Sequence, residues 1–297
     1  MCVSSSTRCW SLHATVGTVL IAGPTHNGPL SLPRNEGRQL GRRPSFPFIR
    51  REVLAPRRAD RPPDACGTID PMEITWLGET CVRLRGREGT VVADAYRAVA
   101  GPTGRGLTGD IATYSHAEHP APWSPEAEGS PLFGASALGI APPTSLEPAF
   151  LIDAPGEYEV HEVLVTGVRT YRDDARGSER GVNTAFVYEL DGLDVIHLGD
   201  IGHVLTEQML GEVGSVQVAL VPIGGALSTS RAVELVTGLG ASLVVPMLVG
   251  DEQGQALERF LKEMSVTDPQ PVPRLSVSIS TVPQETTVVV LEQRARS

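Results

Sequence analysis

Two apolar runs in the second half of the chain, Val216–Ile223 and Ser242–Val249, constrain the fold more than any other feature. Both are short and rich in aliphatic and β-branched residues, which is how a strand covered on both faces reads. Helical spacing separates and follows them, over Ser228–Gly238 and over Gln255–Met264, where Leu257, Phe260 and Leu261 fall on one side. A further helix is expected over Thr206–Val213, with Thr206 as its N-cap. Strands buried on both faces need a layer above and a layer below them.

The first half supplies strands for the second layer. Ile74–Leu77, Cys81–Arg85, Thr90–Asp94, Asp110–Ser115 and Ala149–Asp153 are short β-rich runs, joined by turns at Glu79-Thr80 and Gly86–Gly89. Val163–Thr170, Thr184–Leu190 and Asp194–Leu198 follow, and Leu275–Ser280 and Thr286–Leu291 complete the set. Residues 120–148 hold seven prolines among small residues and read as a long surface loop. Strands dominating each half, with helices inserted between them, predict an α/β fold: two packed sheets covered outside by helices, an αββα sandwich in one domain over residues 72–297.

Residues 1–71 are different. They are rich in Arg, Pro and Ser and lack sustained apolar periodicity. The expectation is a disordered extension, or upstream sequence translated ahead of a start at Met72. The apolar patch Ala14–Gly23 is broken by Thr15 and Thr18 and makes a poor secretory signal. Three of the four cysteines lie in this stretch, and no CxxC pair is present, so a cytoplasmic setting is expected. No run of about 18 apolar residues exists, which predicts no membrane span. The net charge is −10. Ten Arg against five acids in residues 1–71 leave −15 on the remainder. Such an acidic body argues against nucleic acid as a partner.

Candidate chemistry clusters at strand ends. Ser115-His116-Ala117-Glu118-His119-Pro120 offers two imidazoles and a carboxylate to a divalent metal; a solvated polar turn is the plainer reading. His197-Leu198-Gly199-Asp200-Ile201-Gly202-His203 places Asp200 and His203 beside a tight glycine turn, which an Asx-type turn also explains. Asp153-Ala154-Pro155-Gly156-Glu157-Tyr158-Glu159 reads as a turn with two carboxylates, and Asp94 as a cap or ligand-orienting group. No nucleophile elbow, phosphate loop or dinucleotide fingerprint occurs.

Together these segments resemble the metallo-β-lactamase superfamily, in a branch of small metal-dependent hydrolases related to the ascorbate-phosphate lactonase type. The matching pieces include Ile74-Thr75-Trp76-Leu77-Gly78, Thr90-Val91-Val92-Ala93-Asp94, Ser115-His116, Pro155-Gly156-Glu157-Tyr158-Glu159-Val160, Gly181-Val182-Asn183-Thr184, His197-Leu198-Gly199-Asp200 and Val245-Pro246-Met247. The resemblance implies the αββα fold, a zinc or manganese centre, and hydrolysis of esters, lactones or phosphoesters. It implies homo-oligomers as well.

The same resemblance exposes departures. The family's ligand loop reads His-x-His-x-Asp-His; His116 keeps its first place, while Glu118, Pro120 and Ala121 fill the others, with His119 as the second histidine if one residue is inserted. Glu79, Arg172 and Leu248 stand where ligand histidines are expected. Leu248 has no lone pair, and Arg172 carries a permanent positive charge that opposes a cation. One expectation is therefore a protein without the ordinary dinuclear mechanism, whose cleft binds a small molecule or partner and in which Arg172 pairs with Asp200. Glu79 is a second candidate to balance Arg172. The alternative is a mononuclear hydrolase with His116, Glu118 or His119, and Asp200 on the metal, and His203 or Glu157 carrying the proton. A nuclease is disfavoured, since it needs the missing ligand loop.

Overall fold

The computed structural model describes residues 51–52, 71–119, 138, 140–250 and 253–294. Most of the 1–71 extension, most of the proline-rich loop, and Pro120 and Ala121 lie outside the described residues. The chain runs through β1 (Arg51–Glu52), β2 (Met72–Gly78), β3 (Cys81–Arg85), β4 (Thr90–Ala93) and the single-turn helix α1 (Arg97–Ala100). β5 (Ile111–Thr113), β6 (Phe150–Ile152), β7 (Gly156–Val160), β8 (Val163–Tyr171), β9 (Val182–Leu190) and β10 (Leu193–His197) follow. The rest is α2 (Glu207–Val213), β11 (Val218–Ile223), α3 (Thr229–Leu239), β12 (Leu243–Leu248), α4 (Gln253–Glu263), β13 (Leu275–Val277) and β14 (Thr287–Val288).

These strands form two sheets, one ordered β1-β7-β8-β9-β10-β11-β12-β14 and the other β13-β2-β3-β4-β5-β6. The apolar runs behave as their sequences demand. On β11, Val218 and Leu220 face the second sheet, joining Met72, Ile74, Leu84, Phe186 and Tyr188 in the core between the sheets. Ala219, Val221 and Ile223 face the other way, onto Ala232, Leu235, Val236 and Leu239 of α3 and Phe260 of α4. Those four α3 residues recur at the spacing of one helical face, and α3 closes on Gly240 in the left-handed region, whose N–H reaches the Val236 carbonyl. The outer face of the six-stranded sheet is covered by α1 and two 3₁₀ turns, Gly104–Gly106 and Thr144–Leu146. Cys81, Val92, Ala95, Leu107 and Leu146 are buried there. The layers are helix, sheet, sheet, helix. Among the described residues, no helix is long and apolar enough to cross a membrane.

Two readings need correction. The segment around Glu157 is a strand, not a turn: β7 pairs antiparallel with β8, Glu157 opposite Thr166. Its residues alternate, with Glu157 and Glu159 exposed and Tyr158 and Val160 turned inward, a period of two that the flanking Pro-Gly obscured. The strand expected over Asp110–Ser115 ends at Thr113. Beyond it the chain leaves its own ladder, because the Ser115 N–H donates to the Asp94 carboxylate at 2.7 Å. Ser115 instead accepts from Thr184 N–H at 2.7 Å, and His116 forms an isolated bridge with Asn183. The two sheets are therefore stitched together at His116.

Candidate functional site

Strand direction explains why chemistry collects here. β4 and β5 are parallel, as are β10, β11 and β12. β8 runs antiparallel to β9, which runs antiparallel to β10, so β8 and β10 point the same way. The carboxyl ends of β8 and β10, with the amino end of β9, thus share one edge, where clefts of open sheets form. Arg172, Asn183 and Asp200 lie at that edge, and the His116–Asn183 bridge brings Asp94, Ser115 and His116 to it from the other sheet.

Asp94 is fully buried and adopts a φ of 51°, a conformation in which aspartate is among the better-tolerated residues. Its Oδ1 accepts from Ser115 N–H, and its Oδ2 accepts from Ser115 Oγ at 2.6 Å. With the hydroxyl proton committed to Asp94, Ser115 Oγ accepts from His116 Nδ1 at 2.7 Å. That assignment leaves His116 Nε2 with its lone pair. The Tyr96 hydroxyl donates to the His116 carbonyl at 2.5 Å and accepts from its N–H at 3.2 Å. Burial lowers the His116 pKa to about 4; the nearby Arg172 cation adds to this, against the pull of Asp94 and Asp200. The ring is neutral near pH 7. Burial, followed by the Asp94 charge, pushes Tyr96 well above its ordinary value. His197 donates from Nε2 to the Thr80 carbonyl at 2.8 Å, which leaves its buried Nδ1 without a partner.

The other half is built around Asp200. Its position depends on Gly199, whose φ is 62°; a Cβ there would stand 2.4 Å from both Asn183 Oδ1 and Ser115 Oγ. Asn183 accepts from Asp200 N–H at 3.1 Å and donates to the Leu198 carbonyl at 2.9 Å. Arg172, 5% exposed, donates to Asp200 Oδ2 from Nε at 2.9 Å and from Nη2 at 2.7 Å. Its Nη1 donates to the Ala117 carbonyl at 3.1 Å. Arg180 brings a second guanidinium, with Nη2 3.6 Å from the same Oδ2.

The loop carrying Arg180 is held by Asp173, which accepts from the N–H groups of Gly177, Glu179 and Arg180 at 2.7, 3.2 and 2.7 Å. Burial works against that carboxylate, yet these donors keep its pKa below the usual value. Asp174 pairs with Arg231 of α3 and fixes the loop's outer side. Between loop and sheet edge lies a cleft of about 490 Å³, lined by residues that include Arg172, Glu179, Arg180, Gly202 and Ala226.

Residues 73–248 match the family described as the β-lactamase superfamily domain. The chain belongs to the metallo-β-lactamase superfamily. It is 28% identical over 183 residues to a metal-dependent hydrolase of Methanoregula boonei, covering 59% of this chain and 81% of that one. A metal-dependent hydrolase of Methanoculleus marisnigri is 28% identical over 202 residues, with 59% and 80% covered. A crystal structure from Thermotoga maritima, assigned as a zinc-dependent hydrolase of the superfamily, superposes with a TM-score of 0.54 at 29% identity, covering 74% of this chain and 98% of that one.

Membership implies a metal, and the donor set is where this superfamily member departs. Among the described residues, no group of three or more His, Cys, Asp or Glu side chains is placed to hold a metal ion. Asp200 Oδ2 already carries a guanidinium from Arg172. Leu248 packs its side chain into apolar clusters on both sides of its sheet. His116 offers one nitrogen. Glu118 is exposed and accepts from Ala98 N–H at 3.1 Å, beside α1, and His119 is exposed too. Glu157 sits on the outward face of β7. His203 accepts from Tyr171 N–H at 3.1 Å through Nε2 and donates to the Val204 carbonyl at 2.8 Å through Nδ1, so both nitrogens serve the backbone. The structure thus brings His116 and Asp200 to one edge and leaves Glu118, His119 and Glu157 exposed elsewhere. These residues do not fit a dinuclear centre.

Glu79 does not balance Arg172. It accepts from Gly250 N–H at 3.1 Å and from the Gln253 side chain at 3.4 Å, tying its turn to the segment after β12. Sequence reasoning overlooked Arg180 and the linking role of Asn183; the Arg-Gly-Val-Asn run at 180–183 was the available signal.

Proposed function

We propose that this superfamily member has lost ordinary dinuclear hydrolysis and keeps its cleft for binding a small molecule or a partner. One observation carries the reading. The carboxylate that would face a metal has Arg172 on it, with two donors to one oxygen. A guanidinium cannot be deprotonated near neutral pH, so it supplies the countercharge to Asp200 permanently and repels an incoming divalent cation. It also has no site at which water ionises, which is what a catalytic metal provides. The acidic body supports a partner other than nucleic acid, and a cytoplasmic protein able to self-associate belongs to the same reading.

The test is hydrolysis by the purified full chain of an ester, a lactone and a phosphoester, with zinc or manganese in excess. The expected rates equal those of Asp200→Ala. Turnover that disappears in both His116→Ala and Asp200→Ala would instead establish the mononuclear hydrolase of esters, lactones or phosphoesters.

A further inference from the structure

Arg172 and Arg180 share a single carboxylate oxygen, and the two guanidiniums are not equally satisfied. Arg172 uses three of the five donors that a guanidinium carries. Among the described residues, the Arg180 side chain makes no hydrogen bond. Its contact with Asp200 is 3.6 Å long, and its Nε is buried with no partner. The backbone around it is nevertheless fixed, through the Arg180 N–H on Asp173 and the Asp174–Arg231 pair. A guanidinium on a fixed backbone, with its Nε buried and unpartnered, lines the cleft beside a second guanidinium and lacks an acceptor.

We infer that this cleft binds a small molecule through a carboxylate seated on Arg180 and the free donors of Arg172. The inference rests on the proposed reading of the cleft as a binding site. The charges select the class. Two guanidiniums against Asp200 leave one positive charge at the inner wall, enough for a monoanion. Of the acids lining the cleft, Asp174 is balanced by Arg231, while Asp173 and Glu179 keep their negative charges and oppose a second negative charge on the ligand. A planar carboxylate also matches the guanidinium fork. A phosphate dianion suits the site less well.

The test is a titration of the full chain with propionate, followed by saturation-transfer NMR at pH 7.5 and constant ionic strength. Saturable binding is expected, weakened at least about tenfold in Arg180→Met, the loss of one charge-assisted hydrogen bond. This variant suits the test because the Arg180 side chain is 41% exposed and its aliphatic stem is kept. Absence of saturable binding, an unchanged affinity in Arg180→Met, or displacement of propionate by lower concentrations of inorganic phosphate would each overturn the inference. Treatment with chelator separates the two readings. Binding that persists after chelator supports both. Binding that is lost and returns with zinc would put the anion on a metal and overturn the proposed function as well.

Discussion

On the six-stranded side of the site, Asp94, Ser115 and His116 form a chain of hydrogen bonds that ends in a neutral imidazole with a bare Nε2. On the eight-stranded side, the Asp200 carboxylate meets the guanidiniums of Arg172 and Arg180 at Oδ2. The first half presents a lone pair of the kind a metal takes, and the second presents fixed positive charge to its carboxylate. Asn183 and Gly199 join the halves, through the bridge to His116 and the close approach to Ser115. A site of this kind can keep its geometry while its chemistry changes, because backbone contacts hold the halves together.

Removing the Arg172 cation should disturb the eight-stranded half most. Arg172→Leu leaves Asp200 buried, 3% exposed, with no hydrogen-bonded cation and only the 3.6 Å contact to Arg180. Removing one partner of a buried pair costs about 3–5 kcal/mol, read as a lower urea midpoint at pH 7. A loss below about 1 kcal/mol would mean that the pair carries little of the site.

The six-stranded half is probed by pH. The folded His116 pKa of about 4 lies below the unfolded value of 6.5, so between those values the unfolded chain binds the extra proton. Stability is then fully present above pH 6.5 and falls as the pH drops towards 4, by roughly 3 kcal/mol at most. His116→Gln should flatten that part of the urea-stability profile, and an unchanged slope would show the ring is not held neutral.

Gly199→Ala tests the junction. Left-handed strain together with a Cβ pressed on Asn183 and Ser115 should cost about 2–3 kcal/mol. Equal stability of the variant, measured by thermal unfolding, would contradict the close approach. Remote from both halves, Thr206→Ala removes the N-cap bond to Met209 N–H at 3.3 Å, with an expected cost of ~1 kcal/mol and no change in propionate binding.

The fold was legible because β11 and β12 must be covered on both faces, the first half supplies the strands of a second sheet, and the family resemblance implies the same sandwich. β7 escaped because its Glu157 and Glu159 suggested paired carboxylates, although the Gly-Glu-Tyr-Glu-Val alternation is that of a strand with one face exposed. The Arg172–Asp200 pair was readable, since the family pattern sets a cation where a ligand belongs. Arg180 was not, because its approach to Asp200 depends on the turn that Asp173 closes with backbone N–H groups. No periodicity encodes that closure. The partner of Glu79 was hidden for a similar reason, being set by where the segment after β12 passes.

In the proposed function, Arg172 stands on Asp200 where a metal would otherwise bind. The most direct test is the metal content of the full chain by elemental mass spectrometry, after equilibration with zinc or manganese and desalting. No metal above the level of Asp200→Ala is expected. One or more ions per chain, lost in His116→Ala and in Asp200→Ala, would contradict that reading.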